Sequence, residues 1–128
     1  MDKSSHHILL VEDDKFLAGI YQRKFTLEKF KFTVVGDGFS ALNFVARQRP
    51  DLILLDILLP KLDGMAVLKK LKADPATRNI PVILLTNLGQ HDEVVRGLQA
   101  GAAAFLIKAH FKPSAVVAKV KEVLGKPE

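Results

Sequence analysis

The chain has 128 residues, of which 48% are hydrophobic and 26% are charged, and it contains no cysteine; these proportions suit one globular domain and exclude a disulfide scaffold, a thiolate metal site and a cysteine nucleophile. The formal net charge is +5, yet the basic residues are scattered through helix-like segments without interleaved aromatic residues, so we expect solvated helix faces and no direct nucleic-acid binding. No apolar run reaches the roughly 18–20 residues of a membrane span, so we expect no membrane association and, given the missing cysteine, a cytoplasmic location.

Short apolar runs recur along the chain and are the predicted strands. None of them alternates cleanly with polar residues, so each suits a strand that is buried on both faces, as in a parallel sheet. The runs are HILLV at 7–11, FTVV at 32–35, LILL at 52–55, PVILL at 81–85 and AFLI at 104–107.

A helix is predicted after each of these strands. The apolar positions expected to face the core are Phe16, Ile20 and Leu27; Leu42, Val45 and Ala46; Val67, Leu68 and Leu71; Val94, Val95 and Leu98; and Val116, Val117, Val120, Val123 and Leu124. Gly101 is placed to end the fourth helix, and Pro113 is placed to begin the fifth. The regular alternation predicts an α/β fold, with a doubly wound parallel sheet, helices on both faces and right-handed crossovers.

Polar side chains stand where the predicted strands end. In open parallel sheets the functional crevice lies beyond the carboxyl ends of the strands, so we expect these side chains to converge. Acids that lie close together repel one another, and a divalent cation relieves that repulsion. Magnesium prefers oxygen ligands, whereas zinc would need the histidine or cysteine that these positions lack. The residues are Glu12, Asp13 and Asp14, then Asp56, then Thr86, then Lys108.

Asp56 lies inside the apolar stretch DLILLDILLP, where an unpaired charge is costly. Carboxylates, a hard metal, a lysine and a hydroxyl together are typical of phosphoryl transfer, with Asp56 as the nucleophile that forms an acyl phosphate. Each residue alone has a structural alternative. Asp13 can cap the following helix, and Asp56 can be a carboxylate stabilised by a helix dipole. Thr86 can be a hydroxyl in a turn, and Lys108 can be an ordinary surface residue.

The segments ILLVEDD, DLILLDILLPKLDG, IPVILLT and AGAAAFLIK resemble the receiver domain of two-component response regulators. The resemblance implies a flavodoxin-like fold of five βα units with strand order 2-1-3-4-5. It places the receiver domain at residues 7–124, between a polar tail at 1–6 and a short tail at 125–128. We expect either a stand-alone receiver or one domain of a longer protein.

The same resemblance implies the chemistry of the site. Asp56 would accept a phosphoryl group from a phosphohistidine on a sensor histidine kinase or a histidine phosphotransfer protein. Asp13 and Asp56 would ligate Mg²⁺ directly, Glu12 would do so through water, and the backbone carbonyl of Leu58 would complete the protein ligands. The protein would be a signalling module rather than an enzyme, although it would assist its own phosphorylation and dephosphorylation.

The resemblance also implies a conformational switch. Thr86 and Lys108 would bind the phosphoryl oxygens, and Phe105 would rotate inward as the Thr86 hydroxyl moves toward the phosphate. The face formed by the fourth helix, fifth strand and fifth helix would then bind an unknown downstream protein or a second copy of the chain. The sequence departs from the family pattern at Ala109, where proline is usual, and at Asn87, where a small residue is usual.

Three other functions remain open on the sequence. A phosphohydrolase with an aspartyl nucleophile would need an acid two residues after Asp56, where Leu58 stands. A receiver-like interaction domain that is never phosphorylated would not need a complete acidic pocket. A flavin-binding protein of similar topology would have a phosphate loop rich in serine, threonine and glycine in place of EDDKF.

Overall fold

The computed structural model describes residues 6–87, 91–108 and 112–125. The strands are β1 (His7–Val11), β2 (Lys31–Val35), β3 (Leu52–Leu55), β4 (Val82–Thr86) and β5 (Ala104–Ile107). The helices are α1 (Lys15–Leu27), α2 (Gly38–Arg47), α3 (Gly64–Ala73), α4 (His91–Gln99) and α5 (Pro113–Leu124). Within the described ranges, no helix is both long enough and apolar enough to span a bilayer.

The strands form one parallel sheet in the order β2-β1-β3-β4-β5. This confirms the doubly wound, flavodoxin-like architecture predicted above. The central strands β1, β3 and β4 are buried along their whole length, as their continuous apolar runs predict. The edge strands β2 and β5 are only partly buried, because each has a neighbouring strand on one side only.

Helices cover both faces of the sheet. Successive side chains along each strand point to opposite faces, so the core has two layers. Ile8 and Leu10 of β1 join the layer under α1 and α5. Leu9 and Val11 join the layer under α2 and α3. The interior positions of the central strands are all apolar, as expected of parallel strands that are buried on both faces. Charged groups can therefore gather only at the strand ends.

The helix faces predicted from the sequence are partly wrong. In α1 the buried residues are Ala18, Tyr21 and Phe25, whereas the predicted Phe16, Ile20 and Leu27 are exposed. The Phe25 ring stacks on Phe32 with 4.9 Å between centroids and meets Phe30 edge to face at 5.3 Å. The aromatic contacts of Phe25 thus turn this face of α1 toward the core.

The remaining helices follow the predicted pattern more closely. The predicted residues of α3 and α5 lie in or against the core, but Ala46 of α2 and Leu98 of α4 are exposed. Pro113 begins α5 after Lys112, whose side chain makes no capping hydrogen bond. Gly101 has φ +108°, and its N–H donates to the Leu98 carbonyl at 3.1 Å, which terminates α4 as predicted.

β1 begins with a buried histidine at the edge of the sheet opposite the strand carboxyl ends. The His7 N–H donates to Oδ2 of Asp51 at 2.7 Å, and its Nε2 lies 2.8 Å from Oγ1 of Thr33. The His7 ring also meets the ring of Phe44 edge to face at 5.7 Å. Burial lowers the pKa of His7, the charge of Lys31 lowers it further, and the charge of Asp51 opposes both. The folded protein therefore favours the neutral imidazole.

Candidate functional site

Three carboxylates meet at the carboxyl edge of the sheet. Oxygens of Glu12, Asp13 and Asp56 all lie within 4.8 Å of one another. Val11 and Leu55 are register partners in the parallel pair β1 and β3, so the residues that follow them leave the sheet side by side. Glu12 is 3% exposed and Asp56 is 6% exposed, while Asp13 is exposed. The predicted convergence of these acids is therefore present in the fold.

Lys108 pairs with both buried acids and offsets part of their charge. Its Nζ donates to Oδ2 of Asp56 at 2.8 Å and also to Oε1 of Glu12. The Lys108 side chain is itself largely buried, so solvent screens these contacts little. The lysine that follows β5 thus pairs with the acids that follow β1 and β3, which explains how Asp56 is tolerated at the end of a buried strand.

Burial and these contacts together shift the pKa values of Lys108 and Glu12. Burial alone would lower the pKa of Lys108, but its hydrogen bonds to Asp56 and Glu12 and the charges of both acids outweigh burial and raise it. Burial raises the pKa of Glu12, because it outweighs the opposing hydrogen bonds from Lys108 and from the Asp14 N–H. The ammonium group is therefore firmly charged, and burial makes the Glu12 carboxylate costly to keep ionised.

The loop after β3 holds Asp56 from two sides. The N–H of Leu58 approaches Oδ1 of Asp56 at 3.3 Å, and the Leu58 side chain is 61% exposed. The N–H of Gly64 donates to the Ile57 carbonyl at 2.8 Å. A Cβ atom on Gly64 would lie only 2.0 Å from the Asp56 carbonyl oxygen, so glycine is required where α3 begins against the Asp56 backbone.

Asp14, the third acid of the EDD triplet, has a structural role. Its Oδ1 accepts hydrogen bonds from the N–H groups of Phe16 at 3.0 Å and Leu17 at 3.1 Å, so it is the N-cap of α1. The capping alternative considered for Asp13 therefore belongs to its neighbour. A cap directly precedes the first helical residue, so this role follows from the start of α1 at Lys15, which the acidic triplet alone did not indicate.

Thr86 and Phe105 lie on the neighbouring strands β4 and β5. Thr86 is buried at the end of β4, opposite Ile107. Phe105 is the register partner of Leu84 and packs, partly buried, against the core layer under α2 and α3. Asn87 is exposed beyond the strand, whereas Ala109 lies outside the described residues.

Comparison with known proteins assigns the family. A response regulator receiver domain model matches residues 8–121. The chain belongs to this family. It is 42% identical to the response regulator PleD of Caulobacter vibrioides over 104 residues, which are 81% of this chain and 23% of PleD. The receiver chain spans between 23% and 54% of the length of the curated relatives it matches.

Solved structures of other receiver domains superpose closely on this one. A putative response regulator from Chloroflexus aurantiacus has a TM-score of 0.89 and 30% identity, and the match covers 95% of this chain and 99% of that one. The receiver domain of the sensor histidine kinase PA1611 from Pseudomonas aeruginosa, with magnesium coordinated in its active site cleft, has a TM-score of 0.86 and 31% identity, with 95% and 99% covered. The domain boundaries at residues 7 and 124 stay a prediction.

One surface of the receiver was not anticipated from the sequence. Phe16 is 80% exposed and Leu27 is 71% exposed, and together with Ile20 they line a groove along α1 of about 620 Å³. We call this surface the α1 groove; Gly19 and, from α5, Pro113 also line it. The available signal was that α1 carries more apolar residues than a single buried stripe needs.

Proposed function

We propose that this receiver domain is a phosphorylation-dependent signalling module of a two-component phosphorelay, with Asp56 as the phosphoacceptor. The observation that supports this most is the position of Asp56, at the end of β3 and 2.8 Å from Lys108. In the transfer, the bond between phosphorus and the imidazole nitrogen of a phosphohistidine breaks while an Asp56 carboxylate oxygen bonds to phosphorus. The released imidazole nitrogen takes up a proton.

The site is also proposed to hold Mg²⁺. Asp13 and Asp56 would be direct ligands, Glu12 would act through water, and the Leu58 backbone carbonyl would complete the protein ligands. The close approach of the three carboxylates supports this, because hard oxygen donors suit magnesium. When bound, the ion reduces the repulsion between Asp56 and the incoming phosphoryl group.

Two further residues are proposed to bind the phosphoryl oxygens. Lys108 has an ammonium group that already contacts the acceptor carboxylate, and it can turn toward a phosphoryl oxygen without leaving the site. Thr86 stands at the end of β4, the strand next to that of Asp56. Their arrangement serves positioning and charge stabilisation, which is what phosphoryl transfer requires.

Intact mass after incubation with Mg²⁺ and acetyl phosphate tests the acceptor. The wild type should gain one phosphoryl group, and Asp56→Asn should gain none. Asp14→Asn is the matched control, because it removes a neighbouring acid that lies outside the site while keeping a good N-cap residue. It should be labelled like the wild type. Undiminished labelling of Asp56→Asn would refute the assignment.

The phosphodonor is proposed to be a sensor histidine kinase or a histidine phosphotransfer protein that docks a helix on the α1 groove. Three basic residues line the groove: Lys15, Arg23 and Lys24. Lys15 lies nearest in sequence to the acidic site, because it directly follows the EDD triplet. Phe16 offers an apolar anchor. A donor helix with an apolar stripe and acidic flanks would match this surface in shape and charge.

Two routes of phosphorylation separate docking from chemistry. Phe16→Ser should reduce labelling by a kinase that phosphorylates the wild type by about tenfold, because a buried aromatic anchor carries much of the energy of an interface. Labelling by acetyl phosphate should be unchanged, since that donor needs no docking surface. Phe39→Ser, on α2 across the sheet, is the control and removes another exposed ring, which is 52% exposed. Equal losses by both routes would contradict the proposal.

The output surface is proposed to be the face of α4, β5 and α5, which would bind a downstream protein or a second copy after phosphorylation. Thr86 and Phe105 would carry the change to this face. Beryllium fluoride mimics the phosphoryl group, so amide exchange with and without it should differ most at residues 86–112. Changes confined to the loops of the acidic site would argue against such a switch. A cytoplasmic location for this signalling step stays a prediction.

A further inference from the structure

Helix α4 is attached to the sheet differently from its neighbours. The helices α3 and α5 each bury several large side chains in the core. Over residues 92–99 of α4, the fully buried position is Gly97, while Val94 and Val95 are half-buried and Leu98 is exposed. In this part of α4 the helix therefore rests on the sheet through bare backbone rather than through an interlocked side chain.

The fit at Gly97 leaves no room for a side chain. A Cβ atom there would lie 2.6 Å from Cδ1 of Leu84 and 3.2 Å from Cδ2 of Phe105, whereas carbon atoms pack best at about 3.5–4.0 Å. Leu84 and Phe105 are register partners on β4 and β5. The backbone of α4 therefore touches both strands, and one of the two contacts is with the proposed switch residue.

A second glycine in a helix interior shows that this tight fit is specific. Glycine is unfavourable in the middle of a helix, and both Gly19 of α1 and Gly97 of α4 occupy such positions. A Cβ atom on Gly19 would meet nothing within 4 Å. At position 97, by contrast, packing against the sheet requires glycine.

The end of α4 next to Gly97 is closed by backbone bonds from the residues that follow it, before β5 begins. The Gly97 carbonyl accepts from the N–H of Ala102 at 3.1 Å, and the Leu98 carbonyl accepts from the N–H of Gly101 at 3.1 Å. This paired arrangement closes the helix around the positive φ of Gly101. The C-terminal end of α4 is thus held, while its N-terminal end follows the segment that leaves Thr86.

We infer that Gly97 is a positioning residue of the output switch: it is the point on which α4 pivots when Phe105 changes position. No side chain at this point has to leave a pocket in the core before the helix can tilt. The inference rests on the proposed function, because Phe105 moves only if phosphorylation or its mimic drives the switch.

Gly97→Ala tests this against Gly19→Ala. Amide chemical shifts of each variant are compared with and without beryllium fluoride. In Gly97→Ala the amides near Asp56 should respond as in the wild type. The response over 92–107 should fall to less than about half, because the methyl group holds α4 away from Leu84 and Phe105 and so weakens the differential contact through which Phe105 moves the helix. Gly19→Ala should respond fully and melt at a higher temperature.

A rescue variant separates this role from a general loss of packing. Leu84→Val removes the Cδ1 atom that the new methyl group would contact. The double variant Gly97→Ala, Leu84→Val should therefore recover the response over 92–107. Leu84→Val alone is the reference. A full response in Gly97→Ala, or a double variant as unresponsive as Gly97→Ala, would overturn the inference and leave the proposed function intact. A wild type that shows no response over 92–107 would overturn both.

Discussion

Replacing Lys108 by methionine should expose how much of the folding free energy depends on its charge. At 2.8 Å, two unit charges attract by about 6 kcal/mol at an effective dielectric constant of about 20. The cost of burying the ions offsets much of this attraction, but removing one partner leaves the others buried and unpaired, which costs about 3–5 kcal/mol. Lys108→Met leaves both Glu12 and Asp56 in that state, so we expect a loss of unfolding free energy in this range.

Urea titrations in EDTA and in excess Mg²⁺ measure the effect. In EDTA the variant should be destabilised by the full amount. Magnesium should then stabilise Lys108→Met more than the wild type, because the uncompensated acids bind the cation more tightly and binding to the folded state alone raises stability. A variant within about 1 kcal/mol of the wild type in EDTA, or one with an unchanged magnesium response, would refute the reasoning.

Lys72→Met is the matched control for this experiment. The Nζ of Lys72 donates to the carbonyls of Arg78 at 2.9 Å and Ile80 at 2.8 Å, and burial lowers the pKa of Lys72. Its loss should also destabilise the fold, because two hydrogen bonds disappear. The destabilisation should be the same with and without magnesium, since these contacts involve no acid.

Other predictions address pH, geometry and lifetime. The pKa of His7 is lowered in the folded protein, so the unfolded chain binds more protons as the pH falls. In urea titrations, the stability of the wild type relative to His7→Gln should therefore fall as the pH drops from about 7.5 to about 5.5. A stability difference that stays constant with pH would contradict this. Gly64→Ala should slow acetyl phosphate labelling by up to about 10²-fold because it displaces Asp56; labelling at the wild-type rate would show that the loop adapts. Leu58→Asn should shorten the life of the phosphoryl group in a timed decay, because an amide can orient the attacking water and leucine cannot; an unchanged decay would exclude this role.

The sheet and the convergence of charged residues at its edge were predictable because both depend on short-range patterns. An apolar run that ends at Asp56 or Lys108 marks a buried strand and its end in a single segment, and parallel strands end at one edge. The pairing of Lys108 with both Glu12 and Asp56 was not predictable, because it depends on strand register and side-chain reach. The exposure of Leu98 was not predicted for a related reason. Helix α4 packs on the sheet through the close fit at Gly97 and not through a periodic apolar face that includes Leu98.

Helix α1 shows most clearly why periodicity could not settle the helix faces, and what the unused face implies. The helix carries two apolar stripes, and packing against Phe30 and Phe32 decided which one was buried. Full burial of an exposed side chain contributes about 1.5–3 kcal/mol. Phe16, Ile20 and Leu27 are already partly covered, so together they would contribute at most roughly 9 kcal/mol. Association itself costs about 4–15 kcal/mol, so this surface alone supports only weak binding. A phosphodonor that must dock, transfer its phosphoryl group and leave needs a complex of this kind, in which basic residues speed the encounter and limited apolar burial keeps it brief.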